Sequence, residues 1–419
     1  YFYICLHTSI NSANIINMKN IAQKIKTSLP TTVSQALESI KINKGDFRCY
    51  LVGGIVRDLL LGREIFDVDI TVEGDAIELA EFLEIKTSAK ILQTQPELRT
   101  AKIRFKNGVE IDFASTRTEA YPKKGHLPVL VKTGCGLMED ALRRDFTINA
   151  MAASLNSENF GEIIDNTGGL EDLEKKQLRI LHKGSFIDDP TRIIRGLKFA
   201  VRFGFELESE TLKLQEEYLN NPNPDISYSR LKSELIQAFS LPFPQVWDKF
   251  IFQKIFRLIN PDFDKKIDSK NAIALIERFS PENRWLVWLA PVFGGSAALE
   301  LMNFTKIEKK IITDLEKAAK KLPPCTNIEV YKFFNAMEKE AVIAYYLLTN
   351  NASAIRFLDE MAEIKPQITG EDIQKAGMPP GGVYAEIFDA ILEEKLSGNL
   401  VTREDELEFL KFLIKELKK

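Results

Sequence analysis

The sequence predicts an α+β protein, in which an N-terminal domain with a small mixed sheet precedes an all-helical C-terminal region. An apolar strand ends at Val52 and is followed by Gly53-Gly54 and a short amphipathic helix. Two alternating segments, TAKIRF and VEIDFAS, flank Asn107-Gly108, which is the strongest short signal for a β-hairpin. From about residue 138 onward helical patterns dominate. Strands and helices segregated in this order are typical of the α+β class.

Local patterns predict the individual elements of the first third of the chain. Helices are expected over residues 20–45 and 75–86. Gly62 ends the short helix after the double glycine, because glycine adopts the left-handed cap conformation freely. A strand that holds Asp67 and Asp69 follows, and the segment ENFGEIIDN predicts one further strand.

Length and composition bound the class of protein. A chain of 419 residues is too long for one simple core, so two to four domains are expected. The formal net charge of −4 means that any face for nucleic acid has to be a local basic surface. No apolar run reaches the length of a membrane span, so no membrane partner is expected.

Cysteine spacing and the N-terminal segment indicate the compartment. The scattered cysteines form no C-x-x-C pair, which argues against a zinc site and a disulfide scaffold and favours a reducing, cytoplasmic compartment. They are Cys5, Cys49, Cys135 and Cys325. The residues before Met18 contain no Lys or Arg, whereas secretory signals and transit peptides require basic residues. We therefore expect the natural start at Met18.

The acidic strand after the double glycine predicts a cation site. Asp67 and Asp69 are two residues apart, so their side chains point to the same face of a strand. Neighbouring carboxylates repel each other unless a cation lies between them, and Mg²⁺ prefers such oxygen ligands. Gly53 and Gly54 let backbone N–H groups approach a phosphate closely. Together these features predict a site for a Mg²⁺-bound nucleoside triphosphate.

Arg57 and Asp58 follow the glycines on the predicted helix, and two roles are open to the arginine. Its planar guanidinium suits a phosphate group. It suits an internal ion pair with Asp58 or Asp67 equally well.

Four segments resemble, in the same order, the motifs of the tRNA nucleotidyltransferase/poly(A) polymerase family, in its bacterial-type (class II) branch. They are LVGGIVRDLLLGREIFDVDI, ALRRDFTINAMAAS, IIDNTGGLEDLEKKQLRIL and FIDDPTRIIRGLKFAVRFGF. The resemblance covers about residues 45–240 well and the C-terminal half only loosely. It implies a polymerase-β-like nucleotidyltransferase domain at the N-terminus.

The resemblance implies which carboxylates hold the metal and carry catalysis. Asp67 and Asp69 match the first two acids of the family, and Asp112 in IDFASTR occupies the position of the third. All three are expected to be catalytic and to bind Mg²⁺. Glu110, two residues earlier on the same strand face, is expected to be structural.

The resemblance also implies a nucleotide-binding set. Arg143 and Arg144 suit phosphate contacts, and Asp145 with an arginine suits a ribose 2′-OH; a charged helix start capped by Asp145 is the alternative. The resemblance favours the phosphate-binding role for Arg57. The full expected set is Gly53, Gly54, Arg57, Arg143, Arg144, Asp145, Asn149, Asp189, Arg192 and Arg195.

Asp189 and Arg192 are the expected base-reading pair. Three apart on a helix, they share a face and offer an acceptor beside a forked donor. This matches the family's EDxxR motif, although Asp188 stands where Glu is usual. The alternative is an ordinary i,i+3 ion pair that caps a helix.

Predictions for two further segments concern a loop and an ion pair. The stretch ASTRTEAYPKKGHLPVLVKTG resembles the family's mobile loop, with Arg117 and Glu119 as loop residues, and a plain surface loop is the alternative. Arg230 and Glu234 are expected to form a structural i,i+4 pair.

As a whole, the resemblance implies a template-independent enzyme that adds C, C and A to tRNA 3′ ends from CTP and ATP. The alternatives are an A-adding half-enzyme, then a poly(A) polymerase, and least of all an inactive tRNA-binding relative. The expected domains are a catalytic head (18–157), a base-recognition neck (158–240), a body (241–325) and a tRNA-binding tail (326–419). The sequence leaves the oligomeric state open.

Overall fold

The computed structural model describes residues 18–65 and 67–417. The expectation that the natural start is Met18 concerns residues 1–17, which lie outside the described part. The chain divides into two compact units, the first ending at Glu234 and the second beginning at Leu235. A mixed sheet lies in the first unit, and the second is helical. The predicted α+β class is confirmed. The finer division into four domains remains a prediction.

Within the described residues, the first unit contains eleven strands, nine complete α-helices and the first part of a tenth. The strands are β1 (Arg48–Val52), β2 (Asp69–Glu73), β3 (Lys90–Gln95), β4 (Thr100–Arg104), β5 (Glu110–Ser115), β6 (Arg117–Ala120), β7 (Val129–Thr133), β8 (Ala152–Ser154), β9 (Ile163–Ile164), β10 (Gln177–Leu178) and β11 (Glu206–Leu207). The helices are α1 (Ala22–Ser28), α2 (Thr31–Asn43), α3 (Gly54–Leu60), α4 (Ala76–Thr87), α5 (Leu137–Leu142), α6 (Gly169–Glu174), α7 (Ser185–Asp188), α8 (Thr191–Phe203), α9 (Ser209–Asn220) and α10 (Tyr228–Phe239). The boundary between the units falls within α10.

The main sheet has the strand order β3-β4-β5-β2-β1-β8-β9. Its pairs are antiparallel except β2 with β5, which are parallel and align Asp69 with Asp112. The predicted hairpin is confirmed as β4 and β5, in which Lys102 faces Asp112. Fully buried Leu51, Ile70 and the other inward side chains of the central strands anchor this register. Because neighbouring strands lie about 5 Å apart, the sheet itself brings two of the predicted acids together.

The predicted turn at the double glycine is confirmed. Gly53 has a φ of 74°, in the left-handed region that favours glycine, and α3 begins at Gly54. Gly62 has a φ of 63° and its N–H donates to the carbonyl of Leu59 at 3.3 Å, so it ends the helix as expected.

Three predictions about elements of the first unit were wrong in detail, and an exposed strand was missed. The helix expected over residues 20–45 is two helices, since Pro30 cannot continue the first one. Asp67 precedes β2, whose paired residues begin at Asp69. The stretch 114–134 contains an antiparallel hairpin, β6 with β7. Strand β3 was missed because its side chains are almost all solvent-exposed and show no apolar alternation.

The second unit is built from eleven complete helices in its described residues. They are α11 (Gln245–Phe252), α12 (Ser269–Phe279), α13 (Arg284–Phe293), α14 (Ala298–Leu301), α15 (Lys306–Ala319), α16 (Asn327–Phe334), α17 (Lys339–Thr349), α18 (Ala352–Arg356), α19 (Gly370–Lys375), α20 (Val383–Leu396) and α21 (Arg403–Leu417). Trp247 stacks on Trp288 with ring centroids 5.8 Å apart in an aromatic core. Across residues 18–65 and 67–417, no helix has the length and apolarity that crossing a membrane requires.

Candidate functional site

The predicted carboxylates meet at the edge where β2 and β5 begin. Asp69 and Asp112 are paired across the parallel strands, and Asp67 lies two residues before Asp69. Solvent reaches Asp69, yet the surrounding protein removes much of its hydration. This desolvation raises the pKa of Asp69, and the carboxylates of Asp112 and Asp67 raise it further, while Arg144 and Lys102 oppose them. The crowded negative charge favours binding of a cation.

Lys102 supplies part of the missing positive charge. Its Nζ lies 3.1 Å from Oδ2 of Asp112, and a hydrogen bond to Asp112 raises the pKa of the lysine. Within residues 18–65 and 67–417, no three His, Cys, Asp or Glu side chains stand close enough to hold a metal ion together. In this structure the partner of the Asp112 carboxylate is Lys102. The set of Asp67, Asp69 and Asp112 as metal ligands remains a prediction, which the chemistry of the three donors fits.

The double glycine makes room for two guanidinium groups. A Cβ at Gly53 would lie 3.1 Å from Nη1 of Arg144, and one at Gly54 would lie 3.4 Å from Nη2 of Arg57. A side chain at Gly53 would also be strained by the positive φ. The turn therefore lies against the guanidinium of Arg144, whose side chain is 18% exposed, and has no room for a side chain of its own.

Asp140 holds the two predicted phosphate-binding arginines. Nη2 of Arg143 lies 2.9 Å from its Oδ1, and Nη2 of Arg144 lies 3.1 Å from its Oδ2. Burial alone would raise the pKa of Asp140, but Arg144 and Arg143 outweigh burial and lower it. Both arginine side chains keep about a fifth of their surface exposed, 19% and 18% respectively. They are thus fixed in place and still accessible to a ligand, and their phosphate role remains a prediction.

Asp145 and Asn149 form the buried centre of a hydrogen-bond network. Oδ1 of Asp145 accepts from Nδ2 of Asn149 at 2.9 Å, and Oδ2 accepts from Nε of Arg195 at 2.8 Å. Burial would raise the pKa of Asp145, but Arg195 and Asn149 together lower it. The predicted helix after Asp145 is a single 3₁₀ turn, at residues 147–149. Both oxygens of Asp145 are used inside the protein, so the structure gives it a positioning role; the predicted ribose contact remains a prediction.

Arg57 extends this network into the interior. Its Nη1 donates to Oδ1 of Asn149 at 2.5 Å, and its Nε and Nη2 each donate to Asp58 at 2.9 Å. The guanidinium also lies 4.5 Å from the ring centroid of Phe203. Arg57 is only 4% exposed, and all three nitrogens have partners. Of the two roles open to it, the structure shows the internal ion pair.

The side chains of Asp189 and Arg192 do not pair with each other, although the N–H of Arg192 donates to the carbonyl of Asp189 at 3.1 Å. Asp189 precedes α8 instead of lying on it, and its Oδ1 accepts from the N–H and Oγ1 of Thr191 at 3.1 and 2.6 Å. Its Oδ2 accepts from Nη2 of Arg230 at 2.6 Å. The expected common helix face was therefore wrong, because the helix begins two residues later. The expected Arg230–Glu234 pair was also wrong.

Arg192 and Glu234 have other partners. Nη1 of Arg192 donates to Oγ of Ser185 at 2.6 Å, and Nη2 donates to the carbonyl of Arg143 at 2.9 Å and to Oη of Tyr121 at 3.3 Å. Glu234 instead accepts from Arg195 at 3.1 Å and from Lys198 at 2.9 Å. The bond from Arg192 to the carbonyl of Arg143 joins the start of α8 to the segment that carries Arg143 and Arg144. The base-reading role of Asp189 and Arg192 remains a prediction.

The loop residues contribute to both parts of the site. Nε of Arg117 donates to Oε1 of Glu119 at 2.7 Å, and Arg143 approaches the same oxygen at 3.5 Å. Nζ of Lys124 lies 2.5 Å from Oδ1 of Asp188, the acid that stands where Glu is usual. The loop thus touches the phosphate-side and base-side residues alike.

Lys102, Tyr121 and Arg230 belong to the site and were not predicted as site residues. A signal for Lys102 exists in the sequence, because the turn at Asn107-Gly108 fixes the register that places it opposite Asp112. No local pattern identifies Tyr121 or Arg230. Their partners are 71 and 41 residues away, respectively.

The chain is similar to several known proteins. Residues 49–179 match the family model described as the poly A polymerase head domain. An A-adding tRNA nucleotidyltransferase of Geobacter sulfurreducens is 29% identical over 398 residues, which cover 85% of this chain and 44% of that protein. An A-adding tRNA nucleotidyltransferase of Aquifex aeolicus is 47% identical over 173 residues, or 41% of this chain and 20% of that protein. The chain therefore spans less than half the length of these two relatives.

Solved structures share the fold over almost the whole chain. One titled as the apo form II of a CCA-adding enzyme has a TM-score of 0.78 and 25% identity, covering 93% of this chain and 98% of that one. A CCA-adding enzyme in complex with ATP has a TM-score of 0.76 and 25% identity, covering 95% and 99%. The similarity thus includes the helical second unit as well as the sheet.

Proposed function

The chain belongs to the tRNA nucleotidyltransferase/poly(A) polymerase family, and we propose from this premise that it extends tRNA 3′ ends without a template, adding C, C and A from CTP and ATP. One observation carries the proposal. Asp69, two residues after Asp67, is paired with Asp112 across the parallel strands, and Arg144, which lies against the Gly53 turn, acts electrostatically on Asp69. This arrangement suits an incoming triphosphate and its cation.

The reaction that fits is phosphoryl transfer. The oxygen of the tRNA 3′-hydroxyl forms a bond to the α-phosphorus, the bond to the bridging oxygen breaks, pyrophosphate leaves, and the hydroxyl proton passes to solvent. A divalent cation such as Mg²⁺ supplies the activation of that hydroxyl and the neutralisation of the leaving pyrophosphate. Asp67, Asp69 and Asp112 would hold the cation. Arg144, fixed by Asp140, would orient the phosphates beside the Gly53 turn.

Base choice would come from side chains, since a template-independent enzyme has no paired strand to read. Asp189 lies just before α8 and pairs with Arg230 of α10, and Arg192 in the first turn of α8 donates to the carbonyl of Arg143. The base-side and phosphate-side groups are therefore mechanically linked. tRNA, CTP and ATP are the proposed partners, and the cytoplasm is the proposed compartment.

A second candidate is an A-adding half-enzyme, which a specific observation favours. Both curated relatives described above are A-adding enzymes, and the identity of 47% falls on a stretch of 173 residues. The structural neighbours, in contrast, are titled CCA-adding enzymes. The two candidates share the metal site and differ only in the nucleotides accepted.

Extension of three tRNA transcripts separates the candidates. The transcripts end at the discriminator base, at C and at CC, and each is offered CTP alone or ATP alone. Extension of the first two by CTP and of the third by ATP supports full CCA addition. Extension of the CC-ending transcript alone, and by ATP alone, supports the half-enzyme. Extension of none contradicts both.

The pairing of Lys102 with Asp112 predicts that this lysine competes with the metal. We expect Lys102→Met to lower the Mg²⁺ concentration for half-maximal activity by about two- to fivefold, which corresponds to the loss of a partly exposed ion pair. Mn²⁺ binding followed by electron paramagnetic resonance should tighten in parallel. Lys106→Met, on the exposed hairpin turn, is the matched control and should change neither value. Weaker metal binding in Lys102→Met would contradict the competition.

A further inference from the structure

The hairpin of β3 and β4 is a basic surface in an acidic protein. Residues 90–107 hold five Lys or Arg side chains and one acid, whereas the whole chain has a net charge of −4. Three of these cations are paired, namely Arg99 with Asp75, Lys102 with Asp112, and Arg104 with Glu110. Lys90 has neither an ion pair nor a side-chain hydrogen bond within residues 18–65 and 67–417. A polyanion that binds this chain requires a local basic surface of this kind.

One face of the hairpin is open and continues the row of the proposed metal-binding carboxylates. Lys102 of β4 lies opposite Asp112 of β5 on one side and opposite Gln93 of β3 on the other, so the three side chains share this face. The other face packs against α4, and Ile103 is fully buried there. Since neighbouring strands lie about 5 Å apart, Gln93 lies about 10 Å from Asp112.

An irregularity in β3 determines which side chains reach the open face. The register shifts between Ile91 and Gln93, so Leu92 is an extra residue without a partner on β4. Without the shift, Leu92 would lie opposite Lys102, and Gln93 would turn toward α4. A β-bulge next to a functional site typically re-aims a side chain. This bulge replaces an apolar side chain with a polar one in the row of Asp112.

The open face of β3 suits the backbone of a nucleic acid. It carries three exposed side chains, Lys90, Gln93 and Gln95. The lysine offers a free cation to a phosphate, and each amide both donates and accepts hydrogen bonds, as a ribose 2′-OH and a phosphate require. None of the three is aromatic, so they hold a strand by its sugar and phosphate groups and not by base stacking.

We propose that the open face of β3 holds the sugar–phosphate backbone of the tRNA strand whose 3′-hydroxyl reacts beside Asp112. The inference rests on the proposed function, in which that hydroxyl attacks the α-phosphorus. The sheet order places β3 on one side of β5, and it places β1, which leads into the Gly53 turn, on the other. The RNA strand and the incoming triphosphate therefore approach Asp112 from opposite sides and do not compete.

The test measures how salt affects tRNA binding by Lys90→Met. Each phosphate neutralised on a single strand contributes about 0.7 to the slope of log Kd against log salt concentration. We expect Lys90→Met to lower that slope by about 0.7 and to raise KM for CC-ending tRNA about three- to tenfold, while kcat and KM for ATP stay within about twofold. Lys90→Arg keeps the charge and should retain the wild-type values. Gln93→Leu should raise KM for tRNA and leave the slope unchanged, because it removes a neutral group.

Lys86→Met is the matched control. Lys86 is an exposed lysine of α4, the helix that packs on the other face of the hairpin, and its Nζ lies 5.6 Å from the ring centroid of Phe82. Its loss should change neither the slope nor KM for tRNA. The effect of Lys90→Met should also be the same for tRNAs with different acceptor sequences, since backbone contacts carry no sequence information. Circular dichroism establishes that each variant is folded.

The outcomes separate this inference from the proposed function. If the wild type extends tRNA while Lys90→Met and Gln93→Leu keep its KM and its salt slope, the role of β3 is wrong and the proposed function stands. If sedimentation shows that the wild type dimerises and that Lys90→Met dissociates the dimer without changing tRNA binding, the open face binds a second copy and the inference is overturned. If the wild type neither binds nor extends tRNA, both fall together. A lower slope and a higher KM for tRNA with unchanged kcat support the inference.

Discussion

Asp69→Asn should reduce nucleotide addition at least about a thousandfold, because the remaining carboxylates cannot hold the cation at the reacting phosphate. The same change should not destabilise the protein. Desolvation and the neighbouring carboxylates raise the pKa of Asp69, which means that the folded state disfavours its charged form. A neutral amide relieves that repulsion, so stability at neutral pH should stay equal or rise. Loss of activity with retained stability is typical of a functional site.

Single-turnover extension of tRNA and urea unfolding measure these two effects. Glu110→Gln is the matched control, since Glu110 is an exposed acid on the same strand as Asp112 and pairs with Arg104 at 2.6 Å. It should leave the rate within about twofold, as expected for an exposed ion pair. Binding of tRNA should be unchanged in both variants. An Asp69→Asn protein that extends tRNA within tenfold of the wild-type rate would remove Asp69 from the catalytic set.

The acidic part of the site could be predicted from the sequence because it depends on local rules. The turn at Gly53 requires glycine, and the hairpin turn at Gly108 fixes the register of Asp112. The parallel pairing that brings Asp112 to Asp69 was not evident from local patterns. The family resemblance implied only that Asp112 is the third acid, without the strand pairing.

The partners of the charged side chains could not be predicted, because they depend on tertiary packing. Arg57 is followed directly by Asp58, and only its burial beside Phe203 shows that it points inward. Arg230 and Asp189 lie on separate elements, α10 and the turn before α8, and no periodicity connects them. A spacing rule such as i,i+3 applies only if both residues are helical. Asp189 is not, so the rule predicted the wrong partner.

Asp145→Asn should destabilise the first unit by about 3 kcal/mol at neutral pH, the lower end expected when a buried ion pair loses one charge. Asp145 is 7% exposed and receives two nitrogens of Arg195, at 2.8 and 2.7 Å. Arg195 retains Glu234 at 3.1 Å, which limits the loss. Glu171→Gln, in an exposed pair with Lys175, is the control and should leave stability unchanged, because exposed ion pairs contribute little.

The lowered pKa of Asp145 determines how the loss of stability in Asp145→Asn depends on pH. Arg195 and Asn149 overcome burial and lower the pKa of Asp145 below the ordinary value of 3.8, so the folded state binds its proton more weakly than the unfolded state. The charged carboxylate of Asp145 contributes its full stabilisation at pH values above its ordinary pKa. That stabilisation is lost as the pH falls through the lowered pKa of the folded state. The difference in unfolding free energy between the wild type and Asp145→Asn should therefore be constant from pH 7 to about pH 5 and narrow below pH 4. Urea unfolding across that range measures it, and a difference that widens in acid would show that the Arg195 pair does not stabilise the charged form.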